Sequence, residues 1–512
     1  MKKTAFLLIA ITILSKIIGL GRDVVLSYFY GASGTTDAFL ISLTIPTVIF
    51  AFIGKAISTG YIPLYSRIEK DSGVEEANDF TSNLINMLSI LSILLTGLGF
   101  VFAEQIVKIF ASGFESETLF LAVMLTRYSL VGILFLALVH VFNGFLQLKG
   151  NFAAPALIGL PMNACLILAI IFSSRGNLEL LGIGILLSTL MQFVFLLYFM
   201  MKKNYRYRPI VDIKDPNIRQ MVYLAIPVIL GVAVNDINQI VDRTLASQIA
   251  EGGISALSYA NRLSSFVRSI VVTSIATAMY PLITNLARDE RIGELKNTLR
   301  QAITGMNLLV VPATVGFIVL AYPIINLLYG RGAFDNNAVL ATADVLIYYS
   351  IGMLGIGMRE VLSRPFYALQ DTKTPMINAA IGMGTNITLN FILSYYLGLN
   401  GLALATSISA WLTAFLMFID LRKKIGAFGA KNITWSLLKV LTSSLVMGMV
   451  VYHSYARLSS VINSQSVVLL LGISIGVLVY FAVISLMKID EVDGLWKSLK
   501  RKLIGNHTSS SD

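Results

Sequence analysis

The residues of this chain best suited to chemistry are lysines and arginines set inside long apolar runs. Lys16 and Arg22 stand in Ser15-Lys16-Ile17-Ile18-Gly19-Leu20-Gly21-Arg22-Asp23, Lys55 in Ile53-Gly54-Lys55-Ala56, and Arg262 in Tyr259-Ala260-Asn261-Arg262-Leu263. A charge at mid-bilayer costs roughly 2.5–3.5 kcal/mol on insertion scales, so these four carry a combined penalty of about 10 kcal/mol or more. A hydrated cavity, occupied part of the time by an anionic ligand, offsets it most simply. Guanidinium forks grip phosphate oxygens bidentately, and a low-dielectric cavity strengthens the attraction, so the chemistry expected is diphosphate recognition.

Acids accompany these cations. Lys16 and Asp23, seven positions apart, share a helix face, and a bend at Gly19 and Gly21 would turn Arg22 towards the same cavity. The alternative is an Arg22–Asp23 ion pair that only locks neighbouring helices. Asp37 opens the second apolar run; together with Asp23 it is a candidate gate residue, or else it caps a helix N-terminus. Lys55 either faces the site or snorkels to the inner surface. In the second half, Asp236, Asp242, Arg243 and Arg268 join Arg262, while Glu360 and Arg364 are spaced for an intrahelical ion pair that leaves Arg359 over. Asp236, with Asn378, Asn386 and Thr406, offers oxygen ligands for a sodium ion; interhelical hydrogen bonds are the plainer use of the same groups.

The elements that must position these residues are membrane helices. Of 512 residues, 56% are hydrophobic and 13% charged, and the mean hydropathy is +0.77. A soluble globular chain carries about 25% charge. Apolar stretches of roughly 20 residues recur about fourteen times, which defines an all-α polytopic membrane protein. The opening MKKTAFLLIAITIL starts like a signal peptide, but its apolar pattern continues to Tyr30 and is expected to stay as the first span. Basic residues crowd alternate loops, and the opposite loops hold few, among them Arg175, Arg331 and Arg457. That asymmetry predicts an even number of spans with both termini cytoplasmic. Although the net charge is +11, the charges are scattered among loops, so topology rather than nucleic acid accounts for them.

The halves repeat at an offset of about 219 residues, as two parallel six-helix lobes. Tyr61-Ile62-Pro63-Leu64 matches Tyr280-Pro281-Leu282, Gly182-Ile183-Gly184-Ile185 matches Gly401-Leu402-Ala403-Leu404, and Phe145-Leu146-Gln147 resembles Ala368-Leu369-Gln370. The expected organisation is an N-terminal lobe over 1–212, a C-terminal lobe over 213–425, two further helices over 426–490 and a cytoplasmic tail over 491–512. The basic stretch from Lys202 to Arg219 would link the lobes. Cys165 is the single cysteine, so no intramolecular disulfide forms. No phosphate-binding GxxxxGK[ST] loop, HExxH or CxxC motif is present, which argues against an enzyme and against a bound cofactor.

Five segments together resemble the MurJ (MviN) lipid II flippases. They are Ser15 to Asp23, Gly31 to Phe39, Tyr259 to Leu263, Leu328-Tyr329-Gly330-Arg331-Gly332-Ala333-Phe334 and Tyr367-Ala368-Leu369-Gln370-Asp371-Thr372-Lys373-Thr374-Pro375. The resemblance implies the fold of the multidrug/oligosaccharidyl-lipid/polysaccharide exporter superfamily in a bacterial plasma membrane. It implies a monomer that flips the undecaprenyl-diphosphate-linked peptidoglycan precursor, lipid II, to the outer leaflet by alternating access. The family's cavity cations map onto Lys16, Arg22 and Arg262, its outer-gate acid onto Asp37, and a groove for the polyprenyl tail onto the last two helices. Many members carry an arginine pair where this chain has Phe50 and Ala51; Lys55, about one turn further on, is placed to substitute. The rival expectations are a flippase for another polyprenyl-diphosphate-linked glycan and a cation-coupled drug exporter, though the latter calls for an acidic cavity. Coupling would use sodium or the membrane potential.

Overall fold

A computed structural model describes the backbone of residues 2–203 and 205–487, with the side chains of all but 2–9, 52, 55, 58 and 227–235. The expected cytoplasmic tail over 491–512 lies outside the described residues. The described chain is helical throughout, without a strand: α1 (Lys2–Tyr30), α2 (Gly34–Ala56), α3 (Ile62–Ser72), α4 (Val74–Val101), α5 (Ala103–Phe110), α6 (Ser116–Val131), α7 (Ile133–Leu148), α8 (Ala153–Leu157), α9 (Gly159–Ser173), α10 (Glu179–Met201), α11 (Pro216–Ile249), α12 (Gly253–Arg288), α13 (Ile292–Leu328), α14 (Asn336–Ala368), α15 (Lys373–Leu397), α16 (Leu399–Ile425), α17 (Ala430–Val461) and α18 (Gln465–Leu486). Eleven spans among the described residues are long and apolar enough to cross a membrane, or twelve when α6 and α7, bent by 43°, count as one. About fourteen were expected; α1 and α11, which contain side chains outside the described set, stand outside that count. The chain is a polytopic helical membrane protein.

Two compact units emerge: Met1–Ala256 with Tyr329–Ala338, and Leu257–Leu328 with Val339–Asp512. In the first, α2 runs through a π-helical turn at Ile57–Tyr61 into α3, whose Leu64, Tyr65 and Ile68 are buried. Tyr61 stacks on Phe80 at 5.9 Å and Tyr65 meets Phe145 edge-on at 5.8 Å. The Lys202–Arg219 stretch is laid along α4 rather than strung free. Asn83 donates to the Asp212 carbonyl at 2.9 Å and accepts its N–H at 2.8 Å, and Tyr205 bonds Ser82. Burial pushes the Tyr205 phenol up to about 12.

In the second unit, α13 kinks at Leu320, between Pro312 and Pro323, as expected where proline removes a helical hydrogen bond. Against α13 pack α17 and α18, and Tyr480 donates to the Leu308 carbonyl at 2.8 Å. The outward face of α18 keeps Leu470, Leu478 and Phe481 exposed, as lipid-facing positions require. Helices α15 and α16 approach closely because Gly382 and Gly401 leave no room for a side chain: a Cβ there would meet Thr413 Oγ1 at 2.0 Å and the Leu393 carbonyl at 2.1 Å.

Candidate functional site

Helix α1 is a single helix from Lys2 to Tyr30, with Gly19 and Gly21 in its interior. A Cβ on Gly21 would touch nothing within 4 Å, and one on Gly19 only Asn163 at 3.9 Å. Packing therefore does not demand glycine at either place, and both leave α1 free to bend there. Lys16 is exposed on this helix. Arg22 and Asp23 are buried, at 6% and 2% exposure. Both Arg22 Nε (3.1 Å) and Nη2 (2.7 Å) donate to Asp23 Oδ1. The adjacent ion pair is thus formed in this conformation.

Asp37 is buried at 1% exposure in the first turn of α2. Its Oδ1 accepts the Ser255 N–H at 2.7 Å, and the N–H groups of Gly252 and Ile254 are also directed at the carboxylate. Asp37 therefore caps the start of α12. The favour is returned: Glu251 Oε1 accepts the Gly34 N–H at the start of α2, at 2.8 Å. Orphan N–H groups and the positive end of each helix are thus met by a carboxylate from the other. Beside them lies a cavity of about 270 Å³, lined by Asp37, Glu115, Thr118, Ser247, Gln248 and Glu251 among others.

Glycines lock the same end. Gly31 and Gly332 have φ of +63° and +65°, a conformation that L side chains rarely adopt. A Cβ on Gly31 would stand 2.4 Å from the Ala333 carbonyl, and one on Gly332 2.2 Å from the Tyr28 carbonyl. The Ala333 N–H donates to that Tyr28 carbonyl at 2.8 Å. Two of the sequence segments singled out above, Gly31 to Phe39 and Leu328 to Phe334, are therefore contact partners. Glu251 was not foreseen from the sequence, because its cap on Gly34 spans 217 residues.

The remaining sites are placed as follows. Lys55 lies in the last turn of α2, and its side chain is outside the described residues. Arg262 is exposed on α12 within the second unit. Asp236, on α11 in the first unit, has a buried Oδ2 without a hydrogen-bond partner among the described residues. In the second unit, Asn378 donates to Asp420 at 3.0 Å and Asn386 to Thr406 at 3.3 Å. Asn378 and Thr406 thus serve separate bonds between α15 and α16.

The profile of the family described as "Lipid II flippase MurJ" matches residues 26–473. The chain is 29% identical to a probable lipid II flippase MurJ of Vibrio cholerae, covering 95% of this chain and 96% of that one. It is 26% identical to the lipid II flippase MurJ of Burkholderia cenocepacia over 81% and 82% of the two chains. A solved lipid II flippase MurJ in an inward closed conformation superposes with a TM-score of 0.81 at 27% identity, covering 94% of this chain and 98% of that one. A multidrug transporter of the MATE family and MOP superfamily, in an inward-facing conformation, shares the fold at a TM-score of 0.70 and 15% identity over 83% of this chain and 98% of that one. With the profile running through most of its helices, this chain belongs to the lipid II flippase MurJ family.

Proposed function

We propose that this chain flips lipid II from the cytoplasmic to the outer leaflet by alternating access, with Lys16, Arg22 and Arg262 gripping the diphosphate. It is a multi-pass inner-membrane transporter and not an enzyme. Membership of the family over residues 26–473 carries the lipid II assignment, and the buried guanidinium of Arg22 carries the site. Asp23 occupies Arg22 in the absence of substrate, so the guanidinium is never left bare in the membrane. An arriving diphosphate offers two charges and more oxygens than one carboxylate, and draws Arg22 away. Gly19 and Gly21 let α1 bend as it does so. The caps of Asp37 on α12 and of Glu251 on α2 hold the gate end together until the transition breaks them.

Fourteen spans arranged as two repeated six-helix lobes fit this mechanism. Support comes from residues in the left-handed region, Gly31 and Gly252, Gly73 and Glu290, Gly150 and Gln370, Gly176 and Gly398, which fall in the same order about 220 residues apart. The turns at Gly150 and Gln370 share further detail: Asn151 accepts the Ala154 N–H at 3.2 Å, and Asp371 accepts the Thr374 N–H at 3.0 Å. On this reading both termini are cytoplasmic, and α17 and α18 shelter the polyprenyl tail along their exposed apolar faces. For coupling, the unbonded Asp236 oxygen is the strongest place for a sodium ion or a proton. Complementation of a MurJ-depleted strain tests the assignment. Growth rescued by this chain supports it, whereas rescue only of a strain lacking a flippase for another lipid-linked glycan would overturn it.

A further inference from the structure

Helices α9 and α10 follow one another in the first unit, joined by residues 174–178. They touch at Gly184, where a Cβ would collide with that of Ala169. The two sides of α9 differ. One buries Asn163, Leu166, Ile170 and Ser173, and the Tyr30 hydroxyl at the end of α1 donates to Ser173 at 2.7 Å. The opposite side, two positions round the helix, presents Cys165, Leu168 and Phe172. With Leu180, Ile183 and Leu187 of α10 these line a cavity of about 560 Å³. Leu168, Phe172 and Leu187 remain exposed although both helices are apolar enough to span a membrane, so the cavity is a trough open to lipid. From Cys165 to Phe172 it runs seven residues, about 10 Å along the helix.

The mouth of this trough is built differently from its walls. Arg175 and Asn177, both exposed on the connecting turn, are its polar lining. The Arg175 guanidinium lies over the Phe172 ring, 5.6 Å from its centroid, and makes no ion pair among the described residues. Asn177 spends its side-chain oxygen on the Glu179 N–H at 3.0 Å, which leaves its amide N–H groups to donate. Glu179, the acid next along the chain, accepts a hydrogen bond from the Tyr128 hydroxyl of α6. One cation and one amide donor, with the neighbouring carboxylate engaged, thus stand at the end of an apolar trough. An anion carried on a hydrocarbon chain complements both parts.

We propose that the α9–α10 trough holds a resident anionic phospholipid. Its phosphate sits on Arg175 and Asn177, and one acyl chain lies between Leu168 and Leu187. The guanidinium fork suits phosphate oxygens, and a headgroup of net negative charge neutralises Arg175, whereas a zwitterionic one brings a cation of its own to the same place. The chain covers the side of α9 that faces away from Ser173 and α1. The site does not depend on which lipid the protein flips.

Photo-crosslinking of the full-length protein tests it, in nanodiscs of phosphatidylcholine doped with phosphatidylglycerol that carries a diazirine in one acyl chain. Crosslinks should concentrate on the peptides that contain Leu168 and Leu187. Excess unlabelled phosphatidylglycerol should displace them, and phosphatidylcholine should not. In R175Q/N177D the aspartate keeps the cap on the Glu179 N–H while the cation and the amide donors are gone. Yield at those peptides should then fall about fivefold relative to the other lipid-facing helices, as for the loss of one interfacial cation. Unchanged yield in R175Q/N177D, or equal displacement by phosphatidylcholine, would overturn the proposal. Displacement by lipid II but not by phosphatidylglycerol would also overturn it, by giving the trough to the transported lipid.

Discussion

The Asp37 carboxylate at the start of α2 accepts the Ser255 N–H at the start of α12, 2.7 Å away and 218 residues on in the chain. Because Asp37 is buried, its replacement by alanine strands several N–H groups at a helix end. An unsatisfied buried group costs about 1–3 kcal/mol. Asp37→Ala should lower the melting temperature and impair flipping, and Glu251→Gln, at an exposed position, should do less of both. A thermal melt of the two variants checks this; a larger loss in Glu251→Gln would sink the argument from burial.

Glycines of the two kinds described should respond with opposite signs. Gly332→Ala forces a Cβ against the Tyr28 carbonyl at a positive φ, and should destabilise by about 1 kcal/mol or more. Gly21→Ala, mid-helix with open space around it, should stabilise by about 0.5–1 kcal/mol while slowing flipping, since α1 loses a place to bend. Melting temperature and flipping rate, measured together, separate the two effects.

Single alanine substitution is a poor probe of Arg22. Removing it leaves Asp23 buried without its cation, a loss of roughly 3–5 kcal/mol for breaking one side of a buried pair. The Arg22→Ala/Asp23→Ala double variant should regain most of that stability and still fail to flip. A double-mutant cycle in melting temperature, run beside the flipping assay, tells a site residue from a structural one; flipping restored along with stability would leave Arg22 only a structural role.

At the turn before α15, the Lys424 ammonium lies 2.6 Å from Asp371 and holds its carboxyl at about 2, below the usual carboxylate range. The folded value is depressed, so the stabilisation is present above the ordinary carboxylate range and is lost as pH falls through about 2. Lys424→Gln should return the Asp371 titration towards ordinary values, which carbon-13 NMR of labelled aspartate can follow. No movement would mean that the Thr374 N–H and hydroxyl, rather than Lys424, set it.

Much of this was legible in the sequence because membranes penalise charge and reward apolar length. The apolar helices and the Glu360–Arg364 pair, found at 3.5 Å, follow from spacing along single helices. What stayed hidden depends on contacts between distant segments. Nothing local to Glu251 marks it as the cap of Gly34, and Asp37 looked like a cap for its own helix when it serves α12. The docking of the expected linker, Lys202 to Arg219, on Asn83 and Asn86 was not legible either, because both look like ordinary polar positions on α4. Turn detail was hidden too: the Gly150 and Asn151 N–H groups donate to the Gln147 and Leu146 carbonyls, as those of Gln370 and Asp371 do to Tyr367 and Phe366.

The most direct measurement is flipping by the purified chain in proteoliposomes containing lipid II, beside vesicles with an unrelated lipid-linked sugar, each with and without a membrane potential. Lipid II should reach the opposite leaflet, and R22A/D23A should not move it although it melts near the unaltered protein. Equal transport of both lipids, or full lipid II transport by the double variant, would contradict a diphosphate site built on Arg22.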